Sequence, residues 1–219
     1  MSVNGRRYLK FREFVFVQTI AQRLSQRKIS PNQISITSIF FALLASICFL
    51  VLPDTGSTGK WLLPILAAVA IQCRLLCNLF DGLVAIEGGK KTYSGELFND
   101  MPDRISDALL IVSAGYAISI VSWGGTLGWC AALLAVMTAY VRTLAASLGA
   151  PVNFQGPMAK QHRMALLTAA CLITAVENNF AGQSYALLAA LLIMIAGCLI
   201  TLYRRTLSAY RFLESHDLS

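Results

Sequence analysis

The sequence predicts an all-α integral membrane protein, with six transmembrane helices preceded by a cytoplasmic amphipathic surface helix. Three observations predict it. The 219 residues are 56% hydrophobic and only 13% charged, where soluble domains average roughly 25% charged. Apolar runs of about twenty residues, the length that spans a bilayer, recur along nearly the whole chain. Lysine and arginine crowd into alternate connections between those runs, the bias that marks cytoplasmic loops. That bias also accounts for the net charge of +7. Basic loops meet anionic lipid head groups, so no nucleic acid partner is expected.

Residues 1–29 make the first unit. Arg6, Arg7, Lys10, Arg12, Arg23, Arg27 and Lys28 alternate with Phe14, Val17, Ala21 and Leu24 at helical spacing. That is a basic amphipathic helix over 6–28 on the membrane surface; the other reading is an unstructured basic leader. The region lacks a clean apolar core, so no cleavable signal peptide is expected. The first membrane helix then acts as its own insertion signal.

Residues 30–219 make one membrane domain. Ser30-Pro31-Asn32-Gln33 opens its first helix: Ser30 suits the N-cap, Pro31 the first turn, and Gln33 a capping box. The run Ile34 to Leu52 follows, and Pro53 ends it. The second helix covers Trp61 to Ile86 and gathers Arg74, Asn78 and Asp81 in its second half. The third covers Gly95 to about Ser122, and Trp123-Gly124-Gly125 turns the chain. The fourth covers Thr126 to Leu148, the fifth Arg163 to Val176, and the sixth Tyr185 to Tyr203. Glu177-Asn178-Asn179 is expected to turn the chain, and Arg204 and Arg205 to begin a polar tail. Loops 53–60, 123–125 and 177–184 contain only Lys60 among the basic residues. Both termini, and the connection between the second and third helices, therefore fall on the cytoplasmic side. The six cysteines lie inside apolar runs and read as small packing residues.

One stretch departs from this apolar pattern. Between Asn78 and Asp107 the chain places Asp81, Glu96, Asp100, Asp103 and Asp107 beside membrane-length helices. A carboxylate there is costly and needs a partner or a cavity. Asn78 and Asp81 share one face of the second helix, with Ala85. On the third helix Asn99, Asp103 and Asp107 follow at steps of four, and Asp100 fits the same face. Facing each other, these side chains make an oxygen-rich nest suited to Mg²⁺ or Mn²⁺; without histidine or cysteine it does not suit zinc. Gly82 and Gly95 leave room for a ligand to approach backbone. Simpler readings stand beside this one. Glu96 also fits a first-turn acid favoured by the helix dipole. Asp107 also fits an ion pair with Arg104 or a neighbouring helix. Asp81-Gly82 also fits an ordinary turn.

The stretch resembles the signature of the CDP-alcohol phosphotransferase family, D-x-x-D-G-x-x-A-R, eight or nine residues, then G-x-x-x-D-x-x-x-D. Here it reads Asn78-Leu-Phe-Asp81-Gly82-Leu-Val-Ala85-Ile86, eight residues, then Gly95-Glu-Leu-Phe-Asn99-Asp-Met-Pro-Asp103. Ser30-Pro31-Asn32 is similar to the family's lead-in, and six helices behind a surface helix match its architecture. The resemblance implies transfer of a phosphatidyl or other substituted phosphate group from a CDP-linked donor, usually CDP-diacylglycerol, to an acceptor alcohol. CMP is released, in phospholipid biosynthesis. It implies a homodimer in the bacterial inner membrane with a cytoplasmic active site. It implies divalent ions held at Asn78, Asp81, Asn99 and Asp103, and a general base at Asp103. The departures are Asn78 and Asn99 in place of aspartates, and Ile86 in place of the arginine. Two ions then have less compensating charge; either Asp100 and Asp107 restore it, or one ion binds instead of two. Gly82, Ala85 and Gly95 would let the cytidine diphosphate lie against the helices.

Arg142, Lys160 and Arg163 fall on the same face and are candidates for an anionic pocket, for an acceptor phosphate or for lipid phosphates. Arg74 is a candidate partner of Asp81 or a phosphate contact. Two other functions remain open from the residues: a catalytically silent relative that binds CDP-lipid, and an ion or proton transporter. Acids gathered at one face, instead of threading the bilayer, speak against the transporter.

Overall fold

The computed structural model describes residues 30–87, 95–180 and 184–216, together with Thr19, Ile20, Gln22, Arg23 and Gln26, which are helical. Most of the expected surface helix, and the 88–94 connection with Lys90 and Lys91, lie outside the described residues. Among those described there is no strand. Six helices follow one another: α1 Pro31–Val51, α2 Ser57–Glu87, α3 Gly95–Tyr116, α4 Gly124–Ser147, α5 Lys160–Phe180 and α6 Tyr185–His216. Four are long and apolar enough to cross a membrane, those within Pro31–Asp54, Ser57–Val84, Gly124–Ser147 and Tyr185–Ser215. The other two, α3 and α5, carry Asp100, Asp103, Arg104 and Asp107, and Lys160, Arg163 and Glu177.

Local chemistry sets the first boundary. Ser30 Oγ accepts from the Gln33 backbone N–H at 3.2 Å, and Gln33 Oε1 accepts from the Ser30 N–H at 2.9 Å. This reciprocal box satisfies two N–H groups that the first turn would otherwise leave unpaired. Pro31 stands at the first helical position. A 3₁₀ turn over Leu52–Asp54, with Pro53 inside it, stops α1.

The helices form a ring. α1 packs on α2 and α3, α2 on α5, α5 on α6, α6 on α4, and α4 on α3. Small side chains line the contacts: Ala42, Ala45, Ala67, Ala70, Ala114, Ala131 and Ala135 are all buried. Large ones face outward, among them Phe40, Trp61, Trp129, Leu133 and Phe180. Small residues inside and bulky apolar residues outside are the arrangement of helices packed in lipid. At the α3–α4 crossing a Cβ on Gly115 would lie 2.7 Å from the Gly124 carbonyl oxygen and 2.7 Å from Gly128 Cα. Only hydrogen side chains permit that approach.

Several boundaries differ from the sequence expectation. α3 stops at Tyr116 instead of about Ser122, and a turn over 117–123 brings α4 back against the Gly115 contact. α5 is longer at both ends, and Glu177-Asn178-Asn179 does not turn the chain. Its polar groups bond across the end of the bundle instead. Asn178 Nδ2 donates to the Lys60 carbonyl at 2.8 Å, and Glu177 Oε2 accepts from the Ala186 N–H at 3.0 Å. The expected tail after Tyr203 is helix as far as His216. Arg205 holds it in place, donating from Nε to the Gln155 carbonyl at 3.0 Å and from a terminal nitrogen to the Thr138 carbonyl at 2.7 Å. The six cysteines are free thiols, three of them (Cys48, Cys171 and Cys198) buried in the packing.

Candidate active site

The polar residues of α1, α2, α3 and α5 meet inside the ring. Helical spacing puts Arg74, Asn78 and Asp81 on one face of α2, a turn or less apart. α3 offers Asp103 and Asp107, four residues apart, and α5 opens with Lys160 and Arg163. The local sequence explains why they turn inward. α2 has 31 residues, about 46 Å of helix at 1.5 Å per residue, so its second half continues beyond its most apolar stretch. A buried charge there is stable only against another helix with partners for it.

Asp103 is the hub. Asn78 Nδ2 donates to its Oδ1 at 2.7 Å. Arg74 donates to the same oxygen and to the Asp103 backbone carbonyl, each at 3.2 Å. Lys160 Nζ donates to Oδ2. Asp107 lies one turn along, between two guanidinium groups. Arg163 donates to its Oδ2 at 2.8 Å. Arg74 comes within 2.7 Å of Oδ1, but the angle is poor, so this contact is Coulombic more than a directed hydrogen bond. Arg74 is fully buried and also touches Met164 Sδ at 3.2 Å. Arg163 donates to the Met158 carbonyl at 3.0 Å.

Asp81 has a different environment. It is 4% exposed. The Ser35 hydroxyl of α1 donates to its Oδ2 at 2.6 Å. Among the described residues no lysine or arginine lies within ion-pair distance of it.

Asp100 belongs to a neighbouring group. Its half-exposed carboxylate takes Arg104 at 3.2 Å and Arg142 at 3.3 Å. Arg142 also stacks over the Phe154 ring, 5.4 Å from its centroid. Beside it a cavity of about 310 Å³ opens between α4, the 150–155 segment and α6, lined by Arg142, Asn153, Phe154, Arg205, Ser208 and Phe212 among others.

Arg74 does not pair with Asp81; it reaches across to Asp103 and Asp107 on the facing helix. Of the two readings of Asp107, the structure selects the ion pair with neighbouring helices over the one with Arg104. Among the described residues the oxygen-bearing side chains of this region form a network of carboxylates interleaved with cations. The reason is chemical: asparagine at 78 contributes a donor, and Arg74 and Lys160 occupy the carboxylate of Asp103. Gly82 follows Asp81 in α2, and Gly95 opens α3. Ala85 and Asn99 lie in α2 and α3, but their side chains fall outside the described residues.

Sequence reasoning missed Ser35, Thr138 and Arg205. Ser35 shows only as a hydroxyl inside an apolar run, 46 positions from its partner, and nothing local marks the pairing.

Residues 28–207 match the sequence model of CDP-alcohol phosphatidyltransferase. The chain belongs to the CDP-alcohol phosphatidyltransferase family. It is thus a membrane-associated transferase enzyme of phospholipid biosynthesis. Solved structures of similar fold include the phosphatidylinositol phosphate synthase PgsA1 of Mycobacterium tuberculosis with CDP-DAG bound. That likeness has 18% identity and a TM-score of 0.70, covering 89% of this chain and 93% of that one. The same synthase with manganese and citrate aligns at 18% identity and TM-score 0.70, over 89% of this chain and 88% of that one. Its apo form aligns at 18% identity and TM-score 0.68, over 88% and 95%. No curated protein matches the chain. At this identity the structural likeness concerns the fold.

Proposed function

We propose that this CDP-alcohol phosphatidyltransferase uses CDP-diacylglycerol as donor and a phosphate-bearing alcohol as acceptor. One observation carries the reading: Asp103 stands where α2, α3 and α5 meet, gripped from two sides by Arg74 and Lys160, with buried Asp81 on the same face of α2. In this reading the acceptor hydroxyl oxygen attacks the lipid-bearing phosphorus of the diphosphate. The bond from that phosphorus to CMP breaks, and CMP leaves with the bonding electron pair. The hydroxyl proton passes to the Asp103 carboxylate, which Lys160 releases as its ammonium turns to the diphosphate. Arg163 and Arg74 hold Asp107 as a fixed counter-charge below. Gly82, Ala85 and Gly95 border the path for the cytidine diphosphate.

A divalent ion fits at one place. Asp81 is a buried carboxylate without a cationic partner among the described residues, and Asn78 stands one turn away. Asp81 and Asn78, with Asn99 by the motif, would hold Mg²⁺ or Mn²⁺. When bound, the ion supplies charge neutralisation at the diphosphate and the leaving CMP.

The acceptor side falls to Arg142 and Arg205, which line the neighbouring cavity with Asn153 and Ser208. Two guanidinium groups in one cavity suit a phosphate. α3 and α5 complete six crossings, both termini are cytoplasmic, and the location is the bacterial inner membrane. The working unit is a homodimer.

An acceptor screen with labelled CDP-diacylglycerol tests this reading. Lipid product and CMP are expected with a phosphate-bearing acceptor, and not with serine. Loss of charge at Asn78 and Asn99 favours one other reading, a CDP-lipid-binding relative without turnover. Donor binding with no CMP released under any acceptor would establish that reading instead.

A further inference from the structure

This inference rests on the phosphatidyl-transfer reading of the site and concerns how its positive charge is supplied. Among the described residues the site buries Asp81, Asp103 and Asp107 with Arg74 and Arg163, and the partly buried Lys160 joins them. Their formal charges cancel, but their distribution is uneven. Asp107 lies between two guanidinium groups. Both oxygens of Asp103 are already bonded, Oδ1 to Arg74 and Asn78, Oδ2 to Lys160. Among the described residues Asp81 has one neutral hydroxyl.

A buried carboxylate held by a neutral group alone is costly. The remaining demand for positive charge is therefore local to Asp81. A hard divalent cation takes carboxylate and amide oxygens, and the Asn78 amide oxygen is not engaged in the bond to Asp103. At Asp103 the situation is reversed. An ion there would stand beside an ammonium and a guanidinium, and like charges at contact range in a partly buried site repel one another, a divalent ion more than a monovalent one.

We propose that Lys160 is a built-in cation that fills the position of a second metal ion at Asp103, so that the chain binds one divalent ion, at Asp81. The lysine comes from the first turn of α5, a helix that packs on α2. It takes Oδ2 of Asp103, whereas Asn78 and Arg74 take Oδ1. Its charge enters with the protein, and needs no carboxylate at positions 78 and 99 to hold it.

The test is a count of bound Mn²⁺ by electron paramagnetic resonance, on the full chain in detergent without nucleotide lipid. One ion per chain is expected. Asp81→Asn should lose it, and Lys160→Arg should keep the count at one. Lys160→Gln, which frees Oδ2 of Asp103, should bind a second ion or raise Mn²⁺ affinity about tenfold. Two ions in the unaltered chain, or none, overturns the proposal. So does a folded Lys160→Gln protein that still holds one ion with unchanged affinity. Should that variant fail to fold, the counts for the unaltered, Asp81→Asn and Lys160→Arg proteins decide alone. CMP release measured in parallel keeps the two readings apart. One ion without CMP release overturns phosphatidyl transfer only, and two ions with CMP release overturns the single-ion site only.

Discussion

Asp103 and Arg74 are the residues on which the candidate site turns. Asp103→Asn removes the charge that Arg74 and Lys160 hold, and in the proposed reaction removes the proton acceptor. CMP release is expected to fall about 10²–10⁴-fold, with folding in detergent retained because the amide still bonds Asn78. Arg74→Met leaves Asp103 and Asp107 short of a buried partner, and breaking such a pair costs about 3–5 kcal/mol. The thermal midpoint in detergent should drop clearly, and an unchanged midpoint would contradict the network. Asn78→Asp sets a carboxylate against Asp103 in place of an amide donor. That variant should be less stable than the unaltered chain in EDTA and recover in Mn²⁺, while its turnover with metal is kept or raised.

At the scale of elements, the contacts that position the site are close crossings of helices. α3 carries Asp103 and Asp107, and its far end is fixed by Gly115 against Gly124 and Gly128 of α4. Gly115→Ala would force these backbones apart, and overpacking of this kind costs about 1–3 kcal/mol. A lower thermal midpoint is expected, with weaker turnover because α3 shifts as a rod. Gly156 has φ near 116°, and a Cβ there would meet Thr201 of α6 at 2.5 Å. Both constraints tie the connection before α5 to α6. Through Met158, whose N–H donates to Thr201 Oγ1 at 3.0 Å and whose carbonyl takes Arg163, they help to place Lys160 and Arg163.

At the scale of the whole molecule, the helices close a ring around the charged network. In the proposed topology the lysine and arginine bias puts the end that holds this network in the cytoplasm. In a cysteine-free background, Ser57→Cys, at the start of α2, should react with an impermeant thiol reagent on intact cells. Ser147→Cys, at the end of α4, should react only after the membrane is opened. The reverse pattern would invert the bundle.

Much of this was legible in the chain itself. Apolar length marked the four helices long and apolar enough to cross a membrane, because a bilayer-length run has few other uses, and the Ser30 box and Pro53 bounded α1, because such signals act within a turn. The gapped motif from Asn78 to Asp103 named the family. What the linear pattern misjudged were ends such as Glu177-Asn178-Asn179 and Arg205, polar groups that look like turns or tails until a neighbouring helix offers them backbone carbonyls and amides. Only the tertiary structure decided which charge answers which: Arg74 with Asp103 and Asp107, Lys160 with Asp103, and Ser35 with Asp81. Those pairings join helices dozens of residues apart, and residue types alone do not say which buried cation reaches which carboxylate when several are within range.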